Sequence, residues 1–292
     1  MAIGPKISVC QHIPVAGHDL ELNFQLASKL VRQAASEGCD LAVLPEYSLA
    51  IPHGEHSEWA DRDSRYLKRF QQLAAELGIN LVPGTIGEWE DLSGDGNFVL
   101  SNNAYFIDRS GNLLATYRKK NLWHPEREFF IKGEDEHTVF DTPEFGKVGL
   151  LICWDLGFPE AFRCLVKLGV ETIIAPTCWT HADAGPGLRY NKNSEGQFLN
   201  ALCTLRAFEN EVVFVFANIG AEEQDRALGG VGMSQICAPF FGQIAGFTDQ
   251  RRGVITAEVD YSCLKVAEEV YKVRQDVMKT DWHYGTKCDK CG

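Results

Sequence analysis

The first group in this sequence that could do chemistry is a thiol at the end of a buried strand. In Gly149-Leu-Leu-Ile-Cys153-Trp-Asp-Leu-Gly-Phe-Pro-Glu160 an apolar run stops at Cys153 and a helix is expected to begin about six residues later. A strand-to-helix turn holds a nucleophile on rigid backbone and can offer neighbouring N–H groups to a developing oxyanion. Taken alone, the run also reads as one more core cysteine. An unperturbed thiol, with a pKa near about 8.5, is mostly protonated at neutral pH, so a nucleophilic Cys needs a base, a nearby cation, or both. Glu46 follows the apolar run 41–44 and Pro45, which carries its carboxylate to the C-terminal edge of a strand, where α/β sheets bind ligands. Lys119 ends a strand in Tyr117-Arg-Lys-Lys-Asn-Leu-Trp123. Read singly, Glu46 is a solvated loop acid and Lys119 a basic residue guarding a strand edge.

The surrounding patterns supply elements that could position these groups. A strand is expected over 6–12, and a helix over 19–36, with Leu22, Leu26, Leu30 and Ala34 at helical spacing before Gly38. The pair repeats as a strand over 41–44 and a helix over 66–77 that Gly78 ends. Strands over 79–86, 103–107 and 113–117 follow, the last two joined by the hairpin chemistry of Asp108-Arg-Ser-Gly-Asn112. Beyond them come a strand over 147–152, a helix over 159–168, a strand over 170–175 and a helix over 195–210. Strands over 212–217, 234–238 and 254–259 complete the series. No Gly/Ser or Pro linker divides it, which predicts one α/β domain. Loops over 88–97, 181–196 and 220–232 are long enough to border a site.

Composition narrows the classes. The chain has 292 residues, 45% of them apolar and 23% charged, and a net charge of −12 with no block of basic residues. Phosphate-backbone and anionic-membrane ligands need clustered Lys and Arg, so neither nucleic acid nor a membrane is expected as a partner. The apolar runs fall well short of the roughly 18 residues that span a bilayer. The N-terminal stretch has no basic-then-apolar pattern, so a cytoplasmic location is expected. Ten cysteines in a chain of this length are too sparse for a disulfide scaffold and suit a reducing compartment. Cys10, Cys39, Cys164, Cys178, Cys203, Cys237 and Cys263 read as core or near-core filler. Cys288 and Cys291 form a lone CxxC, half a zinc knuckle at most, and no metal is expected there.

Taken together, Leu44-Pro-Glu46, Tyr117-Arg-Lys119 and Ile152-Cys153-Trp-Asp155, each at a strand end and in that order, resemble the nitrilase superfamily of carbon–nitrogen hydrolases. The likeness extends to Glu126-Arg127 with 129–133, Phe158-Pro-Glu160, Arg206-Ala-Phe-Glu-Asn210, 218–220, and Gly232-Met-Ser-Gln235 with Pro239, and spans residues 6–260. It implies a four-layer α-β-β-α sandwich over 1–263, with 264–292 as a C-terminal extension that could serve as an oligomerisation arm. It also implies a Glu–Lys–Cys triad: Cys153 as nucleophile, Glu46 as general base, Lys119 lowering the thiol pKa and stabilising the oxyanion with the Trp154 N–H, and Glu126 as a second acid. No metal or organic cofactor is required, and a homodimer or higher homo-oligomer is expected.

The resemblance leaves the substrate open. Asp155, two residues after the nucleophile, favours a small amide or N-carbamoyl compound, hydrolysed through a thioester. A nitrile, processed through a thioimidate, is the alternative. Asn121 stands where many members have His, and Gly157 where many have Arg, which leaves the support of Lys119 and of the loop after Cys153 open. Tyr47, Trp123, His124, Trp154 and Trp179 are candidate pocket-lining residues by position, although such aromatics also serve as core packing. Two other readings remain: a Cys–His dyad using His124 or His181, and a non-catalytic binding or sensor protein on the same scaffold. His12, His53, His56, His137 and His283 read as surface or packed residues without assigned roles.

Overall fold

In the computed structural model, which describes residues 4–15, 19–52, 58–91, 98–282 and 284, the strand–helix alternation runs largely as the patterns predict. The chain forms β1 (Lys6–Gln11), α1 (Leu20–Ser36), β2 (Leu41–Val43), α2 (Arg65–Leu77), β3 (Asn80–Val82), β4 (Thr85–Asp91), β5 (Phe98–Ile107) and β6 (Leu113–Arg118). It continues through β7 (Val139–Thr142), β8 (Gly146–Leu150), α3 (Pro159–Lys167), β9 (Thr172–Thr177), α4 (Ser194–Asn210) and β10 (Val213–Asn218). The last elements are β11 (Gln235–Ala238), β12 (Gly242–Gly246), β13 (Gly253–Glu258), α5 (Ser262–Val270) and α6 (Val273–Val277). Asp19 caps α1, accepting the Leu22 N–H at 2.8 Å. Its buried stripe is Phe24, Ala27, Leu30, Val31 and Ala34, so the inward face is rotated from the expected one and Leu22 lies exposed.

Two sheets form. One has the order β13-β1-β2-β3-β5-β4, with β6 also paired to β5; the other runs β12-β11-β10-β9-β8-β7. Period-2 alternation sorts their side chains. Ile7, Val9, Leu41, Val43 and Val82 share one core with Val148, Leu150, Ile174, Val213 and Val215 of the other sheet. The alternate residues Cys10, Ala42, Leu44 and Leu81 pack with Phe24 and Leu30 of α1 and Phe70 and Leu73 of α2. On the far side, Phe162 of α3 meets Phe214 of β10 edge-on at 5.6 Å. The result is the expected α-β-β-α sandwich.

The single strand expected over 79–86 is broken at Pro83-Gly84. Gly84 takes φ +80°, and a Cβ there would lie 1.8 Å from the Pro45 carbonyl oxygen, so only glycine allows the approach that seats the Glu46 turn. β7 and β12 were not expected: they are four- and five-residue strands at a sheet edge with few apolar residues. Leu264, Ala267 and Val277 are buried, and α6 packs against α3 and α4, so residues 264–277 lie on their own chain. His53, His56, His283 and the Cys288/Cys291 pair lie outside the described residues. Among the described residues, no helix is long and apolar enough to cross a membrane.

Candidate active site

Parallel neighbours bring their C-terminal ends to one edge, and both sheets do so here. β1, β2 and β3 are parallel, as are β8, β9 and β10. β2 delivers Glu46, β8 delivers Cys153 and β9 delivers Cys178. β6 delivers Lys119, whose N–H donates to the Asn102 carbonyl at 2.9 Å. Cys153 takes φ +43°, a left-handed conformation that is strained for a non-glycine residue and clusters at functional sites. It starts a short 3-10 helix, Cys153–Gly157.

Lys119 and Glu46 have no exposed surface, and Glu126 and Cys153 are buried. The Lys119 Nζ donates to Glu46 Oε1 at 2.8 Å and to Glu126 Oε1 at 2.7 Å. Glu46 Oε1 also accepts from Asn102 Nδ2, and Oε2 from the Cys178 N–H, both at 2.9 Å. Glu126 accepts from the Tyr47 hydroxyl, and its Oε2 from the Trp123 N–H at 2.7 Å. The Cys153 thiol donates to the Cys178 carbonyl at 3.8 Å. Burial raises Glu46 to about 7 despite the pull of Lys119. Burial opposes the charge on Lys119, but Glu46, Cys153 and Glu126 together raise it above its ordinary value. Burial, followed by Glu46, pushes the Cys153 thiol well up, and Lys119 only partly offsets this. Lys119 thus lowers the thiol pKa as expected, but burial and the neighbouring carboxylates outweigh it, which leaves Glu46 as the group suited to take the thiol proton.

Cys153 and Glu126 border a cavity of about 230 Å³ whose wall also includes Tyr47, Trp123, Trp154 and Trp179, while Glu46 and Lys119 do not line it. His124 stays outside it, exposed and edge-on to Trp123. The reason is the 3-10 helix His124–Glu128: with three residues per turn, Trp123 and Glu126 share a side and His124 points elsewhere. His181 does not line the cavity either, so neither histidine stands where a dyad with Cys153 would place it. Of the three loops expected to border a site, the one over 181–196 contributes Asp183, and the residues just before it, Cys178, Trp179 and Thr180, line the cavity as well. The 220–232 loop instead packs on that segment, accepting the His181 and Ala182 N–H groups at Gly229 and Leu228.

Asn121 has a clear task. Its backbone N–H and its Nδ2 both donate to Asp155 Oδ1, at 3.0 and 2.8 Å, while Tyr117 Oη and the Ile152 N–H donate to Oδ2. Asp155 thereby clamps the Lys119 strand to the Cys153 turn. Among the described residues, the nearest atoms to a Cβ at Gly157 would be those of the Trp154 ring, at 3.9–4.0 Å. Asn102 and Cys178 were missed as site residues. The polar run Ser101-Asn102-Asn103, buried within a strand, was the available signal for the first. Cys178 was assigned to the core, and only the parallel pairing of β8 with β9 puts it beside Cys153.

The sequence model of the carbon–nitrogen hydrolase family matches residues 6–267. Among curated proteins, the chain is 26% identical to N-carbamoylputrescine amidase of Arabidopsis thaliana over 276 residues, covering 88% of each chain. It is 29% identical to deaminated glutathione amidase of Bos taurus, covering 89% of this chain and 78% of the other. A nitrilase of Pyrococcus abyssi is also 29% identical, with 82% and 83% covered. Among solved structures, Saccharomyces cerevisiae Nit3, a member of branch 10 of the nitrilase superfamily, superposes with a TM-score of 0.77 at 23% identity, covering 93% of this chain and 95% of the other. An amidase from Nesterenkonia shares the fold, with a TM-score of 0.72 at 21% identity and 90% and 92% covered; that structure carries the acetamide moiety of fluoroacetamide on its active-site cysteine.

Proposed function

The chain belongs to the carbon–nitrogen hydrolase family, and from that premise we propose that it hydrolyses a small amide or N-carbamoyl compound through a thioester on Cys153. One observation carries the reading: a single buried ammonium, Lys119, bridges Glu46 and Glu126 at 2.8 and 2.7 Å beside the cavity that Cys153 lines. In this reading the Cys153 sulfur attacks the carbonyl carbon as its proton passes to Glu46. Lys119 and the Trp154 N–H balance the charge on oxygen. The C–N bond breaks as Glu46 returns the proton to nitrogen, and ammonia or an amine leaves. Water, deprotonated by Glu46, then attacks the thioester; the C–S bond breaks and sulfur regains a proton. Glu126, held by Tyr47 and the Trp123 N–H, orients Lys119. The amidase names among the relatives and Asp155 both favour an amide or carbamoyl group over a nitrile.

A panel of aliphatic and aromatic amides, N-carbamoyl compounds and nitriles, scored by ammonia release, tests this reading. Ammonia is expected from members of the first two groups and none above background from nitriles; turnover confined to nitriles would overturn it. The pH profile gives an independent check. Glu46 takes the thiol proton only when ionised, and burial raises it to about 7. The expected kcat/KM therefore falls as pH drops through about 7, and this acid limb belongs to the coupled cluster as a whole. A limb near the ordinary carboxylate pKa of about 4.3 would remove Glu46 from the role.

A further inference from the structure

The cavity wall is aromatic and its charge is one-sided. The Trp123 and Trp154 ring centroids lie 4.4 Å apart, and those of Trp154 and Trp179 5.4 Å apart. The Trp179 Nε1–H donates to Glu195 Oε2 at 2.6 Å, which places a carboxylate against that indole and enriches its π-face. Asp183, near the start of the 3-10 helix His181–Arg189, also lines the cavity, with Oδ2 accepting the Thr180 N–H at 2.7 Å. Among the described residues, no Arg, Lys or His lines the cavity. Lys119 is engaged by two carboxylates, and Lys120, Arg127 and Lys132 line a separate groove that shares only Trp154 with the cavity. An aromatic wall backed by carboxylates attracts an organic cation, and a substrate carboxylate would find no counter-charge among the described residues of the wall.

Building on the hydrolase reading, we propose that this site selects amide or carbamoyl compounds whose non-reacting end is a protonated amine. That ammonium lies against the Trp123, Trp154 and Trp179 rings with Asp183 as its counter-charge, and compounds ending in a carboxylate are rejected. The volume of about 230 Å³ is below the roughly 300–1,000 Å³ of drug-sized pockets, which limits the ligand to a short chain. Burial raises the Asp183 carboxyl, and an ammonium beside it favours the ionised form.

The test uses three ligands of matched length, 4-aminobutanamide, pentanamide and 4-carbamoylbutanoate, titrated into the Cys153→Ala protein and read by tryptophan fluorescence, so that no turnover is needed. The cationic amide is expected to bind about tenfold more tightly than pentanamide, and the anionic one more weakly than either. Adding Asp183→Asn, which keeps an oxygen to accept the Thr180 N–H, is expected to bring the cation-to-neutral ratio close to one. Equal binding of all three ligands to Cys153→Ala overturns the proposal, as does a ratio that Asp183→Asn leaves unchanged. If the charge preference holds but the unmodified enzyme releases no ammonia from any of the three or from the wider panel, the hydrolase reading falls and the charge selectivity stands.

Discussion

Cys153→Ala is expected to fold as the parent does and to turn over no amide above background. Losing a nucleophile that acts with a base costs on the order of 10⁵–10⁶-fold in kcat. The fold should tolerate the change because the site is held by other contacts. The Cys153 turn is fixed through Asp155, which takes bonds from Tyr117, Asn121 and the Ile152 N–H. The thiol's own polar contacts are a long hydrogen bond to the Cys178 carbonyl at 3.8 Å and one with the Glu46 carboxylate. Unchanged circular dichroism together with abolished ammonia release is the expected pair of results. Mass spectrometry of the parent protein quenched during turnover should show an acyl adduct on the peptide containing Cys153, and none in the variant. Turnover retained by Cys153→Ala and lost in Cys178→Ala would move the nucleophile to the neighbouring strand end.

Each of the three groups assigned to the chemistry follows a strand-like run, but singly they read as core or solvated residues; what made them legible was their joint order, through its resemblance to the nitrilase superfamily. What they touch was less legible. Cys178 reaches the site because β8 and β9 are parallel neighbours, a pairing fixed by packing of the whole sheet. Asn102 sits in a polar stretch that broke the alternating pattern, so β5 was expected to start at 103 although it starts at Phe98 and pairs with all of β4. His124 was misplaced because position in a loop gives no register, whereas a 3-10 turn does. The upward push on the thiol follows from burial of the whole cluster, a property that distant parts of the chain create jointly. Asn121 looked like a weak substitute until its two bonds to Asp155 were in view.

The second large effect is expected at Lys119, where activity and stability should fall together for one electrostatic reason. Lys119→Met keeps the length and apolar stem of the side chain but leaves Glu46 and Glu126 facing each other without a cation. Removing one partner from a buried ion pair costs about 3–5 kcal/mol, so the melting temperature should drop by on the order of 10 °C. One carboxyl escapes the repulsion by holding a proton, which raises its pKa in the folded state. The folded variant then binds that proton more tightly than the unfolded chain, so it loses stability as pH rises above the ordinary carboxylate value of about 4.3. Because burial already holds Glu46 at about 7 in the parent, parent and variant lose this contribution alike up to about pH 7, and the gap in melting temperature should widen above it, toward pH 8. Activity falls further than the fold does, because the oxyanion loses its cation and Glu46 is protonated at the pH where it must act as a base; a loss of about 10³-fold or more is expected. Adding Glu126→Gln removes one of the two buried charges and should recover part of the melting temperature but none of the turnover. If the double variant regained activity, Lys119 would be no more than a counter-ion; if Lys119→Met melted like the parent at pH 8, the two carboxylates would not depend on it at all.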